Sequence, residues 1–192
     1  PIWNYRKELK MFLDNLKSIL SNQINTKLDI DGNYRLASVL VVIYGKDPII
    51  LMTEKPKHMK FHAGEISFPG GKLDVTDLDL LETALRETNE EIGLDITRDQ
   101  VIGQLDPVVT LNSGFMILPF VSIIDDIPKL VTNLEVEKIL HIPLIPFLKT
   151  MKNDLNPSHN KIQEMYTFEH DTQIVWGASA RILKQIQTCL KY

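Results

Sequence analysis

Three glutamates, Glu87, Glu90 and Glu91, stand beside Arg86 in the run Arg86-Glu87-Thr88-Asn89-Glu90-Glu91-Ile92-Gly93-Leu94. Spacings of three and four residues point all three the same way on a helix. Like charges on one helix face repel by roughly 0.2–0.5 kcal/mol per pair. A bare E-x-x-E-E is by default a solvated helix face. If the three are held together, a compensating charge is needed. A hard divalent cation supplies it, since Mg²⁺ takes oxygen ligands and prefers a few carboxylates plus substrate phosphates.

The element that must position these carboxylates is a helix inside the stretch from Phe61 to Leu94. Asp77-Leu78-Asp79 is good capping chemistry for its start. Leu81, Ala84, Leu85, Thr88 and Ile92 recur at helical spacing and give an inward face running to about Ile92. Gly93 then ends the helix as the residue just past its last turn. Phe68-Pro69-Gly70-Gly71 reads as a turn ahead of it, where glycines serve positive φ or close backbone approach to a ligand.

The whole arrangement resembles the Nudix box, G-x5-E-x7-R-E-U-x-E-E-x-G-U with U aliphatic. Arg86-Glu87, Glu90-Glu91, Gly93 and Leu94 match it position by position. Thr88 stands where an aliphatic residue is usual. The spacing from Gly71 to Arg86 is one residue longer than the pattern, which leaves Asp77 as the nearest counterpart of the first glutamate. The resemblance implies a metal-dependent hydrolase using Mg²⁺ or Mn²⁺. Glu87, Glu90 and Glu91 would be metal ligands, joined by the Gly70 carbonyl, with Glu87 or Glu135 as general base. Arg86 would orient the carboxylates; a plain helix salt bridge to Glu82, four residues earlier, is its competing role.

Within that superfamily the chain is similar to the coenzyme A diphosphatases. These carry L-L-T-x-R-(S/A)-x3-R-x3-G-x3-F-P-G-G and then FPGG(K/R)-x-D-x-x-D ahead of TALRE. Here Leu51-Met52-Thr53-Glu54-Lys55-Pro56, Lys60 and Gly64 keep the register to Phe68-Pro69-Gly70-Gly71. Lys72, Asp74, Asp77 and Thr83-Ala84-Leu85-Arg86-Glu87 follow. The resemblance implies that Lys55, Lys60, Gly71 and Lys72 bind substrate phosphate. Lys55 and Lys60 replace arginines, so they keep the charge without the bidentate fork. His62 is a further candidate substrate contact, with an ordinary surface role as the alternative.

Around this segment, about Asn4 to Leu20 reads as an amphipathic helix with Asn4 as its cap, and 21–33 as a linker. Leu36–Tyr44 and Ile49–Thr53 form a hairpin across Lys46-Asp47-Pro48, and Glu65–Phe68 is a short strand. Gln100–Thr110 and Phe115–Ile124 form a second hairpin across Leu111–Gly114. Glu135–Leu144 is similar to the family's E-V-x-E strand, with Glu135 ahead of Glu137 as the useful carboxylate. A short helix over Pro143–Lys152, strands at 165–169 and 173–175, and a last helix from Trp176 to about Leu190 complete the chain. The fold class expected is α/β: a Nudix-type α/β/α sandwich with a mixed sheet and a catalytic loop-helix-loop. Residues 1–192 would form one domain, with 1–33 packed on it and 61–94 as its catalytic segment.

A net charge of -4 argues against a general nucleic-acid binder, which carries a basic field. Cys189 is the single cysteine, so an internal disulfide is excluded and a reducing, cytoplasmic setting fits. No apolar run reaches the length that spans a membrane. The start shows no secretory pattern, and the Lys in Cys-Leu-Lys-Tyr argues against prenylation. The expected function is metal-dependent hydrolysis of the diphosphate bond of coenzyme A or a derivative. The alternatives are the same chemistry on another nucleoside diphosphate-X, such as ADP-ribose or a dinucleotide, and a non-catalytic Nudix-like nucleotide-binding module.

Overall fold

The computed structural model describes residues 2–20, 34–159 and 165–190. It is built around strand β1 (Arg35–Tyr44). This strand is apolar along most of its length because both of its faces are covered. Leu40 and Val42 turn to one side, Val41 and Ile43 to the other, and none is more than 1% exposed.

Three neighbours pair with β1. Strand β2 (Ile49–Glu54) returns antiparallel across the turn at Gly45, whose φ is 86°. Strand β4 (Gly70–Lys72) also runs antiparallel, and β7 (Phe115–Ile124) is parallel over the full length of β1. Strands β3 (Ile66–Ser67) and β8 (Lys138–Pro143) extend the sheet beyond β2. Strands β5 (Val101–Gln104) and β6 (Val108–Val109) both pair with β7.

Helix α2 (Leu80–Ile92) covers the Leu40 face, packing Leu80, Leu81, Ala84 and Ile92 among Leu118 and Phe120. The opposite face carries α1 (Ile2–Ile19), α3 (Leu144–Leu148) and α4 (Gly177–Gln187). Phe12, Leu16, Phe147, Leu183 and Ile186 there meet Val41, Ile43 and Val121. Each such buried side chain stabilises by about 1.5–3 kcal/mol relative to exposure. The result is the expected α/β/α sandwich around a mixed sheet. A small antiparallel sheet of β9 (Lys152–Asn153), β10 (Tyr166–His170) and β11 (Gln173–Val175) leads into α4.

Several boundaries depart from the sequence reading. Helix α1 starts at Ile2, so Asn4 is not its cap, a shift of the size common at helix ends. The linker expected over 21–33 lies outside the described residues. Phe68-Pro69-Gly70-Gly71 is not a free turn. Leu40 N–H donates to the Pro69 carbonyl, and Gly70 and Gly71 sit in β4 against Val39 and Ser38. The strand expected over Gln100–Thr110 is broken between β5 and β6. Pro107 has no N–H for a ladder, and the Gln185 side chain clasps both backbone groups of Asp106. Only Lys138–Pro143 of the stretch expected as strand over Glu135–Leu144 is strand. Helix α3 is a single turn that stops at Leu148, short of the expected Lys152.

Candidate active site

Helix α2 is fixed at both ends as its sequence predicts. The Asp79 carboxylate accepts from the Glu82 backbone N–H at 2.9 Å, and Gly93, at φ 67°, donates its N–H to the Asn89 carbonyl. Thr88, where an aliphatic residue is usual, is fully buried. Its hydroxyl donates to the Ala84 carbonyl at 2.7 Å, so the polar atom is satisfied within the helix. Ser38 of β1 donates its hydroxyl to the Leu80 carbonyl at 2.6 Å and ties the helix to the sheet.

The carboxylates of α2 fall into two networks. In the first, Arg86 binds Asp77 with a two-pronged contact: Nε to Oδ1 at 2.8 Å and Nη2 to Oδ2 at 3.0 Å. Its Nη1 reaches Glu87 at 3.0 Å and Glu90 at 3.1 Å. Arg86 therefore bonds two of the three glutamates, Glu87 and Glu90. Glu82, the competing partner, accepts from the Leu78 N–H instead. Asp77 is almost fully shielded and also accepts from the Thr83 hydroxyl at 2.8 Å and the Asp74 N–H at 3.0 Å. The Arg86 guanidinium holds its carboxyl down to about 2. Asp77, the nearest counterpart of the box's first glutamate by spacing, is thus held by Arg86, Thr83 and Asp74.

The second network centres on Glu91, whose side chain is 3% exposed. One oxygen meets Lys55 Nζ at 2.7 Å, and the other accepts the Gly70 N–H at 3.1 Å. Burial pushes its carboxyl up, and Lys55 pulls it back. Glu87 is also raised by burial, against the pull of Arg86. Lys55 Nζ lies 3.9 Å from Glu135, which sits in the loop before β8. That loop is fastened to the end of α2. Asn133 N–H donates to the Glu91 carbonyl at 3.1 Å, and the Asn133 side-chain oxygen accepts the Glu135 N–H at 2.9 Å.

The two glycines of β4 divide the work. Leu40 N–H to Pro69 and Leu73 N–H to Leu36 set the alternation of the β1–β4 ladder. Gly70 falls at the non-bonded register, so its amide and carbonyl face away from β1. The amide goes to Glu91; the carbonyl faces outward on the same edge. Gly71 faces Glu87, and a Cβ there would fall inside the Glu87 carboxylate. Lys72, next along the strand, turns to the other face of the sheet, with its ammonium 5.6 Å from the Phe115 ring centre. Lys60 is exposed, 5.5 Å from the ring centre of Phe61. Neither lysine enters the carboxylate networks. His62 is exposed and pairs with Glu65 at 2.8 Å.

Glu87, Glu90, Glu91 and the outward Gly70 carbonyl offer oxygen donors alone, which fits a hard cation such as Mg²⁺ or Mn²⁺ rather than a thiophilic one. Gly71, by lacking a Cβ, leaves the room Glu87 occupies. Among the described residues, no three His, Cys, Asp or Glu side chains converge as a ready-made metal cage. Arg86 and Lys55 are the charges that neutralise the carboxylates in their place.

The NUDIX domain model matches residues 34–129, half of the chain. An uncharacterized Nudix hydrolase NudL of Yersinia enterocolitica serotype O:8 is 33% identical over 159 residues, 81% of each chain. One from Yersinia pestis is 31% identical over 157 residues, 80% of this chain and 78% of its own. Among solved structures, a NUDIX hydrolase from Alicyclobacillus acidocaldarius superposes with a TM-score of 0.54 at 20% identity, over 84% of this chain and 95% of that one. A MutT/nudix family protein from Enterococcus faecalis gives 0.56 at 13% identity, over 84% and 62%. These structures share the fold. The chain belongs to the Nudix hydrolases, enzymes acting on phosphoanhydride bonds.

Proposed function

We propose that this chain is a Mg²⁺- or Mn²⁺-dependent diphosphatase of coenzyme A or a derivative, releasing an adenosine bisphosphate and a phosphopantetheine. The observation that carries the reading is the convergence on Glu91: Lys55, from the segment similar to the coenzyme A motif, and Gly70, from its FPGG run, both bond that one carboxylate. The segment similar to the coenzyme A motif and the helix that carries the glutamates therefore meet in space.

Glu87, Glu90, Glu91 and the Gly70 carbonyl would hold the metal, which when bound stabilises charge on the phosphoryl oxygens and acidifies water. The rest falls to the chain's own groups. Arg86 and Asp77 keep Glu87 and Glu90 in place. Lys55 supplies a cation for a substrate phosphate oxygen. Water attacks one phosphorus of the diphosphate, the bridging P–O bond breaks, and the departing phosphate oxygen leaves with the electron pair. Glu135 takes the proton of the attacking water; it is the most exposed of the four glutamates and lies outside the Arg86 clamp. Glu87 is the second candidate for that role.

The test is a panel of coenzyme A, an acyl-coenzyme A, ADP-ribose and a dinucleotide polyphosphate, each with Mg²⁺ and with Mn²⁺, products resolved by chromatography. Highest kcat/KM on the coenzyme A compounds supports the proposal. Equal rates on every compound would sink the coenzyme A reading, and no turnover on any would favour a binding module.

A further inference from the structure

Lys55 stands where the similar motif carries an arginine, and its geometry is that of a cation already in the site. Its ammonium is 2.7 Å from one oxygen of Glu91 and 3.9 Å from Glu135. Glu91 is nearly sealed from solvent, and its other oxygen is taken by the Gly70 amide. A buried carboxylate without a partner is strongly unfavourable, so in the metal-free protein Lys55 is what makes a charged Glu91 tolerable.

The backbone at Lys55 is anchored on both sides. Its N–H donates to the Glu65 carbonyl at 2.9 Å, and its carbonyl accepts the Gly64 N–H at 3.1 Å. Pro56, the next residue, is buried. The moving part is therefore the flexible four-carbon stem, which carries a compact point charge where arginine would present a rigid fork. A divalent cation and an ammonium drawn to one oxygen of Glu91 repel at short range, so arrival of the ion favours departure of the ammonium.

We propose that Lys55 is an exchangeable internal cation: it occupies Glu91 in the metal-free protein, yields that carboxylate to the incoming divalent ion, and swings to a substrate phosphate. The inference rests on the reading of Glu91 as a metal ligand given under Proposed function, and deepens it. Ion pairing at Glu91 then tunes metal affinity, and binding of metal frees a phosphate-binding group at the same moment.

The experiment is Mn²⁺ titration of metal-stripped protein by electron paramagnetic resonance, with melting curves in chelator and in Mn²⁺. The variants are Lys55→Met, Lys55→Arg, Glu91→Gln and, as a control for charge loss on the same loop, Lys57→Met. The expected result is that Lys55→Met binds Mn²⁺ about tenfold more tightly, equivalent to about 1.4 kcal/mol. Its metal-free melting temperature falls, and its KM for the diphosphate rises by a larger factor than its kcat drops. Lys55→Arg, which keeps the charge, restores the metal-free melting temperature. Unchanged or weaker Mn²⁺ binding by Lys55→Met overturns the exchange, as does equal tightening by Lys57→Met. If Glu91→Gln binds Mn²⁺ as the wild type does, the metal site itself is misassigned. That result is separable from a failure of Lys55 alone.

Discussion

Gly71 and Glu87 occupy one another's space: a methyl group on Gly71 would lie within the Glu87 carboxylate. Its neighbour Gly70 is constrained differently, by the Ser38 and Val39 backbone of β1 and by a φ of 154°. The paired glycines thus serve two ends, one closing a strand pairing and the other making room for the Glu87 carboxylate. Gly71→Ala meets only the far end of a flexible side chain, so its melting temperature should stay within a few degrees of wild type. Activity should fall by about a hundredfold as Glu87 is pushed out of place. Gly70→Ala meets backbone in a conformation that L residues rarely adopt and should cost about 3 kcal/mol or more. Urea melts and steady-state kinetics on the two variants check this; equal stability losses would contradict the division.

Asp77 and Arg86 set a pH dependence of stability. The Asp77 carboxyl is lowered to about 2, first by its hydrogen bonds from Arg86, so the folded state favours the ionised form. A depressed carboxyl stabilises fully above its unfolded value, about 3.9, and that contribution is lost as pH falls toward 2. The gap in melting temperature between wild type and Asp77→Asn should therefore be widest near neutral pH and close between about pH 4 and pH 2. A gap that does not change with pH would mean that the Arg86 pairing contributes nothing.

Glu135 and Glu87 can be separated as proton acceptors. Glu135→Gln should lower kcat by 10²- to 10⁴-fold, the usual range for losing a general base, while leaving Mn²⁺ affinity within about twofold. Glu87→Gln should weaken both. If Glu135→Gln instead leaves kcat intact and Glu87→Gln removes the acidic limb of the pH–rate profile, Glu87 is the base.

Asn133 is a positioning residue that links the carboxylate loop to the helix, through the Glu91 carbonyl on one side and the Glu135 N–H on the other. Asn133→Ala keeps its backbone bond to α2 and loses the one to Glu135. Its kcat should fall about tenfold with KM nearly unchanged, and adding Asn133→Ala to Glu135→Gln should have little further effect. Full additivity in that double-mutant cycle would show that Asn133 acts elsewhere.

Much of α2 can be read from local sequence, because its caps, its apolar spacing and its three glutamates are all short-range features. Asp79, Gly93 and the inward row of Leu81, Ala84, Thr88 and Ile92 are where the sequence places them. What escaped depends on partners far away in the chain. Glycine and proline in Phe68-Pro69-Gly70-Gly71 signal a turn, yet β1, some thirty residues earlier, captures Gly70 and Gly71 as a strand. Once β4 is a strand, alternation sends Lys72 to the face opposite Glu87, which no motif register reveals. Asp77 is similar: its spacing is off the usual box by one residue, and only the loop closed by Asp74 and Thr83 aims it at Arg86. The break at Asp106-Pro107 needs Gln185, from the far end of the chain, to complete it.

Glu91→Gln tests the metal-dependent diphosphatase most directly, measured as Mg²⁺-dependent release of products from coenzyme A alongside a melting curve. The substitution removes a charge and keeps the shape, so the fold should survive with a melting temperature within several degrees of wild type. Turnover should drop by a thousandfold or more. A folded Glu91→Gln protein that still cleaves substrate at close to the wild-type rate would contradict the assignment of this site.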